Sequence, residues 1–199
     1  MEVRPLAAVA DLVASRAPAA GDTKVVAVDG PSGSGKSTLA RRLRRVLGAP
    51  LLHLDALYPG WDGLAAAPGL LVKHVLCPLA DERQAAYRRW DWDAGRWAES
   101  HVVSPVPVLV VDGVGSGAVL CAPYLSVLLW VEAPTAVRMR RGIERDGEAY
   151  RPHWERWARQ EGAMFVADRT RDRADLVIDG APDAPHDPDT EIVVVRGLT

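Results

Sequence analysis

Lys36, Ser37 and Thr38 close a run of small residues that starts at Gly30 and reads GPSGSGKST. These are the residue types that a bound polyphosphate requires. Glycines at Gly30, Gly33 and Gly35 permit backbone angles that a Cβ forbids, so successive N–H groups can turn inward around an anion. Lys36 adds a point charge that reaches the terminal phosphate oxygens. Ser37 offers a hydroxyl to Mg²⁺, an ion that keeps several waters and binds through one or two protein groups plus phosphate. The expected cradle is Gly33, Ser34, Gly35, Lys36, Ser37 and Thr38.

Phosphoryl transfer then needs a carboxylate to accept the acceptor hydroxyl's proton, a carboxylate for the metal's water shell, and cations over the moving group. Asp55 ends the apolar run LLHLD and precedes Tyr58 and Trp61, which can face an organic acceptor, so Asp55 is the candidate base. Asp112 ends VPVLVVD and, with Ser37, is the candidate metal-side group. Both acids have plain alternatives, Asp55 as a helix N-cap and Asp112-Gly113 as a turn. Arg138, Arg141 and Arg145 recur at i, i+3 and i+7, which puts three guanidinium groups on one helical face. Such a stripe is either a solvated face or a clamp on phosphate oxygens. Asp91, beside Trp90 and Trp92, is a candidate hydrogen-bond partner for acceptor hydroxyls. His53, inside a strand, reads as a core histidine.

These residues need elements to hold them. Val25 to Val28 form a buried strand leading into the glycine-rich run, and Leu39, Leu43, Val46 and Leu47 continue it as a helix. Residues 5 to 17 have helical spacing. Strands are expected at 51 to 55, 105 to 117, 126 to 134 and 174 to 180, with EIVVVRG closing the fold at an edge. Helices are expected through Leu70 to Leu76, at 135 to 146 and at 150 to 167. Residues 83 to 103 read as a hairpin or irregular arm that turns at Asp93-Ala94-Gly95. The stretch 181 to 190, with Pro182, Pro185 and Pro188, reads as a mobile loop. Alternating strands and helices predict an α/β three-layer sandwich, a mostly parallel sheet covered on both faces. The phosphate cradle, Asp55 and Asp112 then share the rim at the carboxyl ends of its strands. One domain over 1–199 is expected, with a core at 24–55 and 105–199 and a substrate arm at about 56–104.

Composition limits the alternatives. The 199 residues suffice for one domain with a substantial core. A net charge of -2 supplies no bulk attraction to nucleic acid or anionic membrane, so neither is an expected partner. The basic residues are 21 arginines and 3 lysines, which isolates Lys36. Cys77 and Cys121 lack metal-ligand spacing and read as buried thiols. The N-terminal residues lack the pattern of a signal peptide, and no apolar run approaches the ~20 residues of a membrane helix, so a cytoplasmic protein is expected. The chain has no asparagine, and so no Asn-Lys-x-Asp guanine-reading motif.

GPSGSGKST, LDALYPGW, WDWD, LVVDGVG, RMRRGIERDG and the late ADLVIDG, taken in that order, make the chain similar to the uridine kinase and phosphoribulokinase group of P-loop kinases. The resemblance implies ATP- and Mg²⁺-dependent transfer of the γ-phosphate to a hydroxyl of a small acceptor, typically a nucleoside 5′-hydroxyl. It also implies Asp55 as base, Asp91 on the ribose, and Arg141 and Arg145 closing over the phosphates as a lid. Two features depart from that group: Asp112 stands where glutamate is usual, and the arm lacks the histidine-proline that usually follows its acid. VAVDGPSGSGKST with LDALY also resembles cytidylate kinase, whose acceptor is a nucleoside monophosphate. Residues 56 to 82 contain no arginine and one lysine, Lys73, which tilts the reading towards a neutral acceptor, while Arg83, Arg88, Arg89 and Arg96 remain available to hold an acceptor phosphate. A nucleotide-binding accessory ATPase without a small acceptor is the reading from a different class.

Overall fold

The computed structural model describes residues 1–147 and 151–197. Its first elements are β1 (Glu2–Pro5), α1 (Ala7–Ser15), β2 (Lys24–Asp29), α2 (Lys36–Leu47) and β3 (Leu51–His53). A helical stretch follows, with α3 (Ala67–Leu71) and α4 (Cys77–Ala80) joined by a π-helical turn at Val72–Leu76. Pro78 stands in the first turn of α4, where its missing N–H costs little, so the helical stretch runs on past Leu76, where the apolar spacing ended it. β4 (Ala85–Asp91) and β5 (Arg96–Val103) form an antiparallel hairpin separate from the main sheet. The chain continues through β6 (Val108–Asp112), β7 (Val127–Glu132), α5 (Thr135–Asp146), α6 (Arg151–Asp168), α7 (Thr170–Arg173), β8 (Leu176–Asp179) and β9 (Glu191–Arg196). Residue 150, where the spacing starts the second arginine-rich helix, lies outside the described residues.

The seven-stranded sheet runs β1-β9-β8-β7-β2-β6-β3. Five neighbours, β8-β7-β2-β6-β3, are parallel, while β9 pairs antiparallel with β8 and β1 antiparallel with β9. This is the predicted α/β layered fold, with two corrections at one side. EIVVVRG is not an edge strand, because β1 covers it; four residues before α1 give too short a pattern to be read as a strand. The stretch 181 to 190 is tied down at its far end, where Arg42 donates to the Asp189 and Glu191 carbonyls and Asp187 Oδ2 accepts from Thr190.

β2 lies at the centre, and its side chains alternate between two cores as strand geometry requires. Val26 and Val28 pack with α1 and α2 through Val9, Val13, Leu39 and Leu43, whereas Val25 faces Leu54, Leu57, Leu71, Leu76 and Trp157. Consecutive apolar residues are therefore all buried, and the strand reads as an unbroken apolar run. Because β6 lies on one side of β2 and β7 on the other, the connections leave in opposite directions and a crevice opens beyond the end of β2.

Candidate active site

The loop after β2 lies in that crevice and ends at the N-terminus of α2. Gly35 caps the helix with φ +104, a conformation that L side chains rarely adopt. Gly33, with φ +78, is pressed so closely against the main chain of α5 that a Cβ would collide with the Arg138 carbonyl. Unpaired N–H groups and the positive end of α2 thus face one cleft, the arrangement that binds an anion. The cleft holds about 680 Å³, within the range of small-ligand sites.

Gly33, Gly35, Lys36, Ser37 and Thr38 line the cleft, and so do Asp55, Tyr58, Trp61, Arg141 and Arg145. Ser34 does not: it is buried under the loop, its N–H donating to the Pro31 carbonyl at 3.1 Å. Lys36 is 8% exposed and its Nζ donates to the Pro31 carbonyl at 3.4 Å, which aims the ammonium along the loop.

Asp55 sits in a 3₁₀ turn, Leu54–Leu57, one step past the end of β3. Water reaches the carboxylate through the cleft mouth, while protein crowds it on its other sides. This desolvation raises its pKa; Lys36, Arg145 and His53 oppose the rise and Asp112 adds to it. Asp112 is 2% exposed at the end of β6. One of its oxygens, Oδ2, accepts from His53 Nδ1 at 2.8 Å, and the other, Oδ1, is buried with no hydrogen-bond partner. A buried lone carboxylate oxygen beside a phosphate cradle suits a magnesium ion's bound water. Ser37 and Asp112 thus fit such an ion.

His53 is not a core histidine. It points out of the end of β3 into the cleft, half exposed, and its hydrogen bond to Asp112 raises its pKa. A three-residue edge strand followed at once by a 3₁₀ turn leaves its last side chain at the rim, a geometry that apolar spacing does not reveal.

The hairpin β4–β5 forms the wall opposite the phosphate loop. Its tip returns to Asp55, with Trp92 Nε1 donating to the Asp55 carbonyl at 3.1 Å. Asp91, expected to face the acceptor, is used by the hairpin itself: Oδ1 accepts from the Asp93 and Ala94 N–H groups, and Oδ2 from Arg89. An Asp at the start of a tight turn is drawn to its own backbone. Asp93, two residues on, lines the cleft instead. Trp61 stacks face to face on His153 at 4.4 Å and tilts against Trp92 at 4.9 Å, so its faces are already occupied by aromatic rings.

Arg138 is held away from the cleft by the Ala133 and Ser32 carbonyls and lies over the Trp154 ring. Arg141 donates to the Gly180 carbonyl at 2.9 Å and more loosely to that of Gly33 at 3.4 Å. The three arginines thus have separate surroundings: Arg138 braces the loop from outside, while Arg141 and Arg145 line the cleft.

Several groups in the site were not singled out by sequence. Arg41, on α2, lines the cleft near His53. Trp157 lines it from α6, edge-on to Tyr58 at 5.0 Å. Asp29, the last residue of β2, is fully buried and accepts from the N–H groups of Gly30, Gly115 and Gly117, which ties the phosphate loop to the loop after β6. Burial raises its pKa to about 6, against those hydrogen bonds and the Lys36 charge. Its signal was present, an acid directly before the first glycine, but overshadowed by the glycines themselves.

Known proteins resemble this chain in sequence and in fold. The family described as cytidylate kinase matches residues 26–63, the stretch from β2 past Asp55 to Gly63. A cytidylate kinase from Acidiphilium cryptum is 33% identical over 179 residues, covering 77% of this chain and 82% of that protein. A tRNA dimethylallyltransferase from Phenylobacterium zucineum is 31% identical over 141 residues, but the chain spans 44% of its length. Among solved structures, that of a possible uridine kinase from Bacillus stearothermophilus superimposes with a TM-score of 0.63 at 17% identity, over 86% of this chain and 96% of that one. The fold is therefore shared with that possible uridine kinase, whose group the sequence resembles, while the relative matched over most of both chains is a cytidylate kinase, the other group it resembles. With its phosphate loop, its central β2 and its kinship over most of both chains, the protein belongs to the cytidylate kinase family of P-loop kinases.

Proposed function

We propose that the protein transfers the γ-phosphate of ATP to a hydroxyl of a neutral, ring-bearing acceptor, a nucleoside being the best fit. The observation that carries this reading is the wall facing the phosphate loop. It is built from His53, Asp55, Tyr58, Trp61, Trp92, Asp93 and Trp157, aromatic rings and two acids, whereas the lysine and the arginines of the cleft lining all come from α2 and α5. An acceptor phosphate set against Asp93 would meet a like charge, whereas a sugar's hydroxyls can donate to it. Trp92, 36% exposed, supplies flat apolar surface for a base.

In this reading the loop N–H groups and Lys36 hold the triphosphate, and Arg141 and Arg145 lie where charge accumulates on the transferred group. Asp55 accepts the proton of the acceptor hydroxyl as the oxygen attacks phosphorus and the bond to the ADP oxygen breaks. Trp92 fixes Asp55 through its carbonyl, and the raised pKa makes it a stronger base than an ordinary aspartate. Bound magnesium, its water shell held by Ser37 and Asp112, would offset phosphate charge. Among the described residues no helix is long and apolar enough to cross a membrane.

A nucleoside monophosphate is the second reading. It is favoured by Arg41 and by the neighbouring His53, whose pKa is raised, both in the lining of the same cleft, and by the family itself. Steady-state phosphotransfer from ATP to cytidine and uridine, compared with their 5′-monophosphates and with Lys36→Ala as blank, separates the two. Nucleosides are expected to win in kcat/KM; a preference for monophosphates would replace the first reading with the second. ATP hydrolysis unaffected by any acceptor would favour an accessory ATPase.

A further inference from the structure

The crest of the phosphate loop is gripped from α6 by a buried acid. Glu161 is 3% exposed, and its Oε1 accepts both from the Ser32 N–H at 2.9 Å and from the Ser32 hydroxyl at 2.5 Å. The indole N–H of Trp157 donates to the same Ser32 hydroxyl at 3.0 Å. The Ser32 carbonyl accepts from Arg138 on α5 at 3.2 Å. Every polar group of Ser32 is therefore used, all by the two helices that follow β7. A carboxylate withdrawn from water this far is costly unless its partners compensate it. Its two charge-assisted hydrogen bonds both fall on one residue, in the loop whose shape decides whether the next N–H groups face phosphate.

Trp154, Trp157 and Glu161 recur at i, i+3 and i+7 and are the buried residues of α6. The same face thus carries the acid on the donor loop and, in Trp157, a ring on the acceptor wall. Gln160 Nε2 donates to the Trp61 carbonyl at 2.8 Å, and Arg156 pairs with Asp62, so α6 also holds the turn that bears Trp61.

We infer that Glu161 is a positioning residue for the phosphate loop, acting through Ser32, and that the Trp157 N–H joins the acceptor wall to that same serine. The inference rests on the loop's binding ATP but not on which acceptor is used. Glu161 touches no reacting atom; it sets the crest so that the N–H groups of the loop and of α2 converge on one anion.

Calorimetric titration of the whole protein with ATP, paired with thermal unfolding of each variant, tests this. Glu161→Ala should weaken ATP about tenfold or more, the loss expected for a charge-assisted hydrogen bond. Glu161→Gln, which can still accept from the Ser32 N–H, should recover part of that loss, and Trp157→Phe should show a change of about threefold. A purely structural acid would instead lower the unfolding midpoint and leave the ATP affinity of the folded protein at the wild-type value. That result in Glu161→Gln and Trp157→Phe overturns the inference, whether or not Glu161→Ala folds. Wild-type protein that fails to bind ATP would overturn the functional reading itself, an outcome visible before any variant is made.

Discussion

Asp55 shows how little of a residue's chemistry its type determines. Its position after an apolar run was readable, and so was its partnership with Tyr58 and Trp61. Its crowding at the cleft floor was not, because that comes from Asp112, Lys36 and the hairpin, all distant in sequence. As the base is active only when ionised, kcat/KM should fall as pH drops through a pKa above the ordinary aspartate value of 3.8. Arg145 favours the ionised form, so Arg145→Gln should move that acid limb to still higher pH. A wild-type limb at or below the ordinary value, or a downward move in the variant, would contradict the placement. Asp91 teaches the converse. Its neighbours marked it as a substrate ligand, yet a turn two residues away supplied N–H groups nearer than any acceptor, and Asp93 was left facing the cleft.

Elements were legible where their periodicity was long. The strand, loop and helix from Lys24 to Leu47, the helix Thr135–Asp146 and the strands after it stand near where apolar spacing puts them. What spacing could not give was their relation in space. Nothing in α6 alone says that Trp157 turns to the cleft and Glu161 to the phosphate loop, since a helix with Trp at i and i+3 reads as core packing wherever it docks. The hairpin was visible as aromatic strands about a turn, but its folding back so that Trp92 reaches the Asp55 carbonyl is a tertiary event. This closure gives a prediction at the same scale. Trp92→Ala should raise the acceptor KM about tenfold, the worth of an aromatic contact plus a hydrogen bond, with the ATP KM unchanged. Equal effects on both substrates would mean that the hairpin belongs to the donor site as well.

For the molecule as a whole, Asp29 links the sheet to the site. It ends the central strand and holds two loops at once, and its folded pKa of about 6 stands above the unfolded 3.8. A carboxyl whose pKa is raised by folding contributes stability that is complete below the unfolded value and is lost as pH rises through the folded one. Its contribution should therefore decline between about pH 4 and pH 6. Asp29→Asn, which cannot ionise, should lack that slope. Urea unfolding across this range, read as wild type minus variant, should show the difference declining by up to about 3 kcal/mol; a flat difference would contradict the burial argument. The general layout, a parallel sheet with its acids at one rim, followed from alternating strands and helices. The antiparallel cover of β9 and β1 did not, because four residues at the N-terminus carry too little pattern to claim a partner.

The account depends most on Asp55 facing the triphosphate across a space that an alcohol can fill. Single-turnover transfer of label from γ-labelled ATP to cytidine or uridine, in wild type and in Asp55→Asn at saturating ATP, measures that relation directly. The expected result is unchanged ATP affinity with transfer slowed by about 10²- to 10⁴-fold, the range for a lost general base. Transfer at the wild-type rate in Asp55→Asn would contradict it.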